Sequence, residues 1–201
     1  MIDTQQNSWD IVANAISFSL SPNLDALTNL ITPKAKVLDY GCGYGRITQE
    51  LYERGYINLT GVDTSIEMIK RGLTLFPTLD LRHILTYEIP AELGKYDVIL
   101  LCAVLTCIPI KEHRTKIIRS VHDALNRGGI LYCIDFQQSS TKNYSSSGTF
   151  SSKLGIEMKH FLPQEISDEL AIFSKTSQTI TEATTISGEK TSAIHHFAKK
   201  L

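Results

Sequence analysis

Apolar runs and amphipathic stretches take turns along the first two thirds of the chain, which predicts strands and helices in alternation. Residues 35–40 (AKVLDY), 59–63 (LTGVD), 79–85, 96–104 and 130–136 read as strands. The fourth is almost wholly apolar, as a strand covered on both faces of a parallel sheet should be. Between them, helical spacing covers 44–54 and 111–126, the latter with Ile117, Ile118, Val121 and Leu125 on one face. A third helix opens at Thr64 and Glu67, spaced as a capping box. Gly55 and the pair Gly128-Gly129 supply stops. Two helices precede the first strand, over 8–18 and from Ser21-Pro22, the second burying Leu24, Leu27 and Ile31.

The texture changes after residue 136. Residues 137–153 contain seven serines and little apolar content. That is too long for a routine connection, and it reads either as a mobile lid or as disorder. A short helix follows over 163–172. Two strand-like runs, 178–186 and 192–199, flank Ser187-Gly188-Glu189-Lys190, a hairpin turn. The whole predicts an α/β fold with one doubly wound sheet in one domain, residues 1–201. Its parts are N-terminal helices at 1–32, a core at 35–136, a lid-like loop at 137–160, and a C-terminal helix and hairpin at 161–201.

Charge narrows the function. Twenty basic and 21 acidic residues leave a net charge of −1. A nucleic-acid binder draws most of its affinity from phosphate neutralisation, and no basic stripe is present, so no nucleic acid is expected. The run from Lys111 to Lys116 reads as a solvated helix face. The first ten residues, MIDTQQNSWD, lack a basic start and an apolar run, so no secretory signal is expected. The longest apolar run, 98–105, is too short to span a bilayer. Cys42, Cys102, Cys107 and Cys133 fit neither a zinc site nor a redox pair, which predicts reduced thiols, no metal and a cytoplasmic protein.

The informative segment is VLDYGCGYGR, residues 37–46, where a strand runs through a glycine-rich turn into a helix. Glycines permit the tight turn and let a ligand lie against bare backbone, and the helix start offers unpaired amides. A dinucleotide fingerprint would place glycine or alanine where Arg46 stands. The spacing is instead Asp39-x-Gly41-x-Gly43-x-Gly45, which resembles the first motif of the class I S-adenosylmethionine-dependent methyltransferases. Asp63 follows at the end of the second strand, 18 residues after Gly45. The segment from Tyr96-Asp97-Val98-Ile99 to Ile108-Pro109 and the turn Arg127-Gly128-Gly129 are similar to two further landmarks of that family. The likeness covers residues 35–136.

The resemblance implies a Rossmann-like seven-stranded sheet, mostly parallel with an antiparallel C-terminal strand, and S-adenosylmethionine as cofactor, leaving S-adenosylhomocysteine. Carried over by position, Asp39, Gly41, Gly43 and Gly45 surround the methionine part, and Asp63 holds the ribose beside Thr64. Met68 covers the adenine, and Glu88 and Ile89 fall at its acidic contact. Cys102 and Ala103 flank the sulfur. Two readings stand for Asp39, which either touches the cofactor or only holds loop amides. Arg46 either pairs with the carboxylate or lies on the surface.

Methyl transfer is an in-line displacement that needs alignment and exclusion of water more than a fixed catalytic group. Candidate general bases are Asp135, at the carboxyl end of the fifth strand, and His160, ahead of the last helix. The neighbours His195 and His196 face opposite sides of a strand and suit packing. Trp9, Tyr44 and Tyr144 are candidate walls for the acceptor, with Trp9 equally suited to anchor the first helix. No Asn/Asp-Pro-Pro-aromatic stretch and no Pro-Cys pair is present, which argues against DNA as substrate. The leading expectation is a methyltransferase acting on an O, N or S nucleophile of a small molecule, as a monomer or homodimer. The competing one is an accessory protein that binds the cofactor without catalysis.

Overall fold

Strands buried on both faces make the centre of the sheet, and their side chains alternate between two cores. The structure is a computed structural model that describes residues 4–140 and 142–201. Leu38, Ile99, Leu101, Leu131 and Cys133 face one side. Val37, Val98, Leu100, Tyr132 and Ile134 face the other. This is the period-2 alternation of extended backbone, applied to strands with no solvent face.

The chain order is α1 (Thr4–Val12), α2 (Leu24–Thr28), β1 (Val37–Tyr40), α3 (Arg46–Glu53), β2 (Leu59–Asp63), α4 (Ile66–Leu75), β3 (Leu81–His83) and β4 (Tyr96–Cys102). Then come α5 (Lys111–Ala124), β5 (Leu125–Phe136), β6 (Thr149–Ser151), β7 (Glu157–Lys159), α6 (Pro163–Glu169), β8 (Ser174–Thr184) and β9 (Lys190–Lys199). Seven strands form one sheet in the order β3-β2-β1-β4-β5-β9-β8. The first five pair in parallel, while β9 runs antiparallel to β5 and β8. The order reverses between β1 and β4, which opens a crevice at their carboxyl ends, where ligands of such sheets bind.

Several boundaries differ from the sequence expectation because long-range partners choose the caps. Ser65, not Thr64, caps α4, with Oγ accepting the Met68 N–H. Asp10 of α1 accepts the N–H of Glu67 and the Ser65 hydroxyl through the same Oδ1, replacing the expected Thr64–Glu67 box. Asn23, not Ser21, caps α2 by accepting the Ala26 N–H, and its own N–H donates to the Tyr132 hydroxyl. The first helix ends at Val12 instead of running to Phe18. Helix α5 ends at Ala124, and Leu125 already pairs with Tyr96, so Gly128-Gly129 lie inside β5 at an irregular register instead of ending a helix.

The expectation for 137–153 also changes. Phe150 pairs with Met158 in a small antiparallel sheet of β6 and β7, so the serine-rich stretch leads into a hairpin. Ser145 Oγ lies within hydrogen-bonding distance of the hydroxyls of Ser147 and Thr149, which satisfies the polar side chains locally. The basic run 111–116 is not a uniform solvated face either. Arg114 is 3% exposed and pairs with Glu169 of α6.

Candidate functional site

At the carboxyl ends of β1, β2 and β4 lies a cavity of about 1500 Å³. Binding pockets for one small molecule are usually ~300–1,000 Å³, so this one has room for two ligands. Its floor is the glycine turn. The N–H groups of Gly41 and Cys42 both donate to Val62 O, at 2.8 and 3.0 Å, which draws the turn across the end of β2. Gly41 sits at φ 71°, and a Cβ there would lie 2.6 Å from the Val104 side chain. Phe18 fills the space that a Cβ on Gly43 would need. Bare backbone is thus required by sterics at both positions.

Asp63 lines the cavity and divides its carboxylate between two backbone donors. Oδ2 accepts the Gly43 N–H at 2.7 Å and Oδ1 the Ser65 N–H at 2.8 Å. One further lone pair on each oxygen remains for a ligand. Burial raises its pKa above the ordinary carboxylate value, and the two amides pull it back down. Thr64, Met68, Glu88, Cys102 and Ala103 also line the cavity. Ala103 adopts φ 57°, the left-handed region that alanine rarely enters, where the chain turns off β4. Its N–H donates to Ile134 O and its carbonyl accepts the Cys107 thiol, which hold that turn.

Four expected cofactor or catalytic residues lie elsewhere. Asp39 is buried beneath the turn, accepting the Thr48 hydroxyl at 2.7 Å, so it anchors α3 and does not line the cavity. Burial raises its pKa to about 6, against the Thr48 hydrogen bond. Gly45 caps α3 with φ 80° and packs on Leu81 of β3, which answers to helix–sheet packing. Ile89 turns into the core, with its N–H on Ser120 Oγ, while Ile84, Leu85, Thr86 and Tyr87 line the wall instead. Asp135 is 1% exposed, does not line the cavity and accepts the Thr106 N–H at 2.8 Å, holding the turn after β4. Burial raises it to about 7.

Arg46 lines the inner end of the cavity, half-committed to the protein. Its guanidinium bonds to Glu50 and to the carbonyl of Leu20, yet its Nε is buried without a partner among the described residues. That orphaned donor fits an anionic group of a ligand better than it fits the folded chain alone. The aromatic candidates part company. Trp9 lines the cavity, whereas Tyr44 stacks on Phe18 at 5.5 Å beneath Arg71. Tyr144 lies behind His160.

His160 does face the cavity, beside Phe136 and Phe150. Burial and the charge of Lys142 lower its pKa to about 4, so the ring is neutral at neutral pH. His195 and His196 are structural. His195 bridges Tyr132 and Thr181, and His196 packs near Gln178. The polar residues that sequence reasoning missed are Lys142, Lys153 and Glu189. They meet at the cavity mouth, with Glu189 3.0 Å from Lys142 and 3.3 Å from Lys153. Only contact across some forty residues brings them together, which no local pattern encodes. Among the described residues no cluster could hold a metal, and no helix is long and apolar enough to cross a membrane.

Known proteins are similar to this chain in sequence and fold. A family profile described as a methyltransferase domain matches residues 16–177. The chain is 28% identical over 109 residues to a ubiquinone biosynthesis O-methyltransferase of Pseudomonas aeruginosa, covering 48% of this chain and 42% of that protein. It is also 28% identical over 119 residues to an eEF1A lysine and N-terminal methyltransferase of Danio rerio, covering 56% of this chain and 17% of that one. The matched region thus spans less than half the length of either relative. The crystal structure of an S-adenosylmethionine-dependent methyltransferase from Methanosarcina mazei superposes with a TM-score of 0.80 at 23% identity, covering 90% of this chain and 98% of that one.

Proposed function

We infer that this chain, which belongs to the class I S-adenosylmethionine-dependent methyltransferase family, moves a methyl group onto an O, N or S nucleophile of a small molecule. The observation that carries this reading is one undivided cavity with two chemically different ends. The inner end offers Asp63, the glycine turn and the orphaned Arg46 Nε. The outer end offers Phe136, Phe150 and His160.

When bound, S-adenosylmethionine supplies a methyl group made electrophilic by its sulfonium. The chain's part is to bind, orient and exclude water. Asp63 has lone pairs free for sugar hydroxyls, and the Arg46 guanidinium suits a carboxylate. Cys102 and Ala103 line the same cavity where the chain leaves β4, and Met68 supplies an apolar surface. Burial holds the thiols of Cys42, Cys102 and Cys107 well above their ordinary pKa, so they stay protonated. With Asp135 walled off, alignment and not proton abstraction is the chain's main contribution. The hairpin of β6 and β7 covers the outer end, which favours a small acceptor over a protein segment.

Thermal unfolding with S-adenosylmethionine, S-adenosylhomocysteine and NAD tests the binding half of this reading. Ligand at a hundredfold excess over its Kd adds about 2.7 kcal/mol. A rise with the two sulfur compounds and none with NAD is expected. Release of S-adenosylhomocysteine with pooled metabolites tests the catalytic half, and binding without turnover would make the protein an accessory one.

A further inference from the structure

Three atoms behind the outer wall determine what His160 can offer a ligand. The backbone N–H of Ser139 donates to the Tyr144 hydroxyl oxygen at 3.0 Å. An amide can only donate there, so the Tyr144 O–H is left to donate in its turn. Its remaining partner among the described residues is His160 Nδ1, at 2.8 Å. With the Tyr144 O–H donating to it, Nδ1 is an acceptor, and a neutral imidazole with that nitrogen occupied carries its proton on Nε2. This is the direction that leaves the Tyr144 O–H a partner within the described residues. Nε2 has no partner among the described residues. It is also absent from the sealed, unpartnered side-chain atoms, which are Arg46 Nε and His196 Nε2. The open space that His160 faces is the cavity.

The surroundings of this N–H are aromatic and positively charged. The ring of Phe150 stands edge-on to His160 at 4.6 Å, and Phe136 lies at 5.4 Å. Lys142 sits 4.0 Å over the Phe150 ring. Two ammonium groups, Lys142 and Lys153, share the carboxylate of Glu189, so these three groups together carry one positive charge in surplus. Lys159, next to His160 in the chain, is already committed to Ser147 O and Glu165.

We propose that the outer chamber takes a planar acceptor bearing a carboxylate or another oxyanion, which accepts a hydrogen bond from His160 Nε2–H. His160 then recognises the acceptor and does not deprotonate it, and Tyr144 is the positioning residue that sets its tautomer. The inference deepens the methyltransferase reading and rests on the same cavity.

Long-range proton–nitrogen correlation spectra of protein labelled with 15N-histidine read the tautomer without any ligand, with His160→Gln assigning the signal. A protonated Nε2 and an unprotonated Nδ1 are expected, converting to a tautomer mixture in Tyr144→Phe. A protonated Nδ1 in the parent protein overturns the proposal. Benzoate and benzylamine, added to protein saturated with S-adenosylhomocysteine, then probe the chamber. Benzoate should shift the Nε2–H resonance and benzylamine should not. His160→Phe should weaken benzoate about tenfold, the size of one hydrogen bond to a charged group, and His160→Gln should largely restore it. No benzoate effect in protein that binds S-adenosylhomocysteine overturns this proposal alone. Failure to bind S-adenosylhomocysteine overturns the methyltransferase reading, while the tautomer measurement still decides the role of His160.

Discussion

Asp63 Oδ2 accepts the backbone N–H of Gly43 at 2.7 Å, so the acid that ends β2 sets the shape of the turn that ends β1. A carboxylate is required because both of its oxygens receive backbone donors, the second from Ser65. Asp63→Ala should weaken binding of S-adenosylhomocysteine by about 1.5–3 kcal/mol, the range for hydrogen bonds to a charged group. Asp63→Asn should lose nearly as much, because its amide must oppose one of the two N–H donors. Calorimetric titration checks both, and unchanged affinity in either variant would remove Asp63 from the ribose role.

Asp135 gives a pH signature of opposite sign to the usual acid. Its carboxyl ionises at 3.8 when unfolded and at about 7 in the folded protein, because burial outweighs the Thr106 N–H. Between those values the folded chain holds a proton that the unfolded chain has lost. The stability that this group contributes is present at low pH and lost as pH rises to 7. Asp135→Asn removes the titration and keeps an acceptor for Thr106. Relative to the parent, the variant should gain up to about 1.4 kcal/mol per pH unit crossed between 4 and 7. Urea melts at pH 5 and 7.5 measure this, and parallel behaviour of the two proteins would contradict it.

The ion pair of Arg114 and Glu169 ties α5 to α6 at 2.6 Å, with side-chain exposures of 4% and 10%. Arg114 also donates to the carbonyls of Ile108 and Pro109, fixing the segment that carries Ile108 to the cavity. Glu169→Gln should cost about 3–5 kcal/mol, the usual consequence of leaving a buried charge unpaired. Urea denaturation at neutral pH reads this loss. A change below 1 kcal/mol would mean that water reaches the guanidinium.

Glu189 fastens the β6–β7 region to the turn between β8 and β9 through two lysines. The three side chains are partly or largely exposed, so the effect on global stability should stay within about 1 kcal/mol. Glu189→Gln should instead speed amide hydrogen exchange across 142–153. High salt should do the same to the parent and little to the variant, because exposed pairs are screened. Equal exchange in both proteins would show that the hairpin is held by packing alone.

How much of this was legible in the sequence follows from how local each feature is. The strand–turn–helix at 37–46 was readable because left-handed backbone over Gly41, Gly43 and Gly45 demands glycine, whatever lies around it. The sheet class followed from strands too apolar to face water. The role of Gly45 was not readable, since its reason is Leu81, far along the chain. Caps at Asn23 and Ser65 depend on Tyr132 and Asp10, which choose among neighbouring polar residues that local sequence cannot rank. Arg114 looked like one more charge on a helix because Glu169 lies 55 residues away. Asp39 and Asp135 were placed at the right ends of the right strands, but the side of the backbone they serve was decided by Thr48 and Thr106. The hairpin of Phe150 and Met158 left no alternating signature among the serines.

The undivided cavity also constrains the order of events. On the proposed function, a molecule held against Asp63 becomes part of the wall seen by a molecule beside His160, replacing solvent with a dry, shaped surface. Each guest therefore changes the affinity of the other, and thermodynamic reciprocity makes the two changes equal. Where that coupling is favourable, neither compartment fills efficiently alone, and the empty protein discriminates poorly among acceptors. Selectivity then becomes a property of the half-loaded complex, so acceptor searches belong in protein already saturated at its inner end.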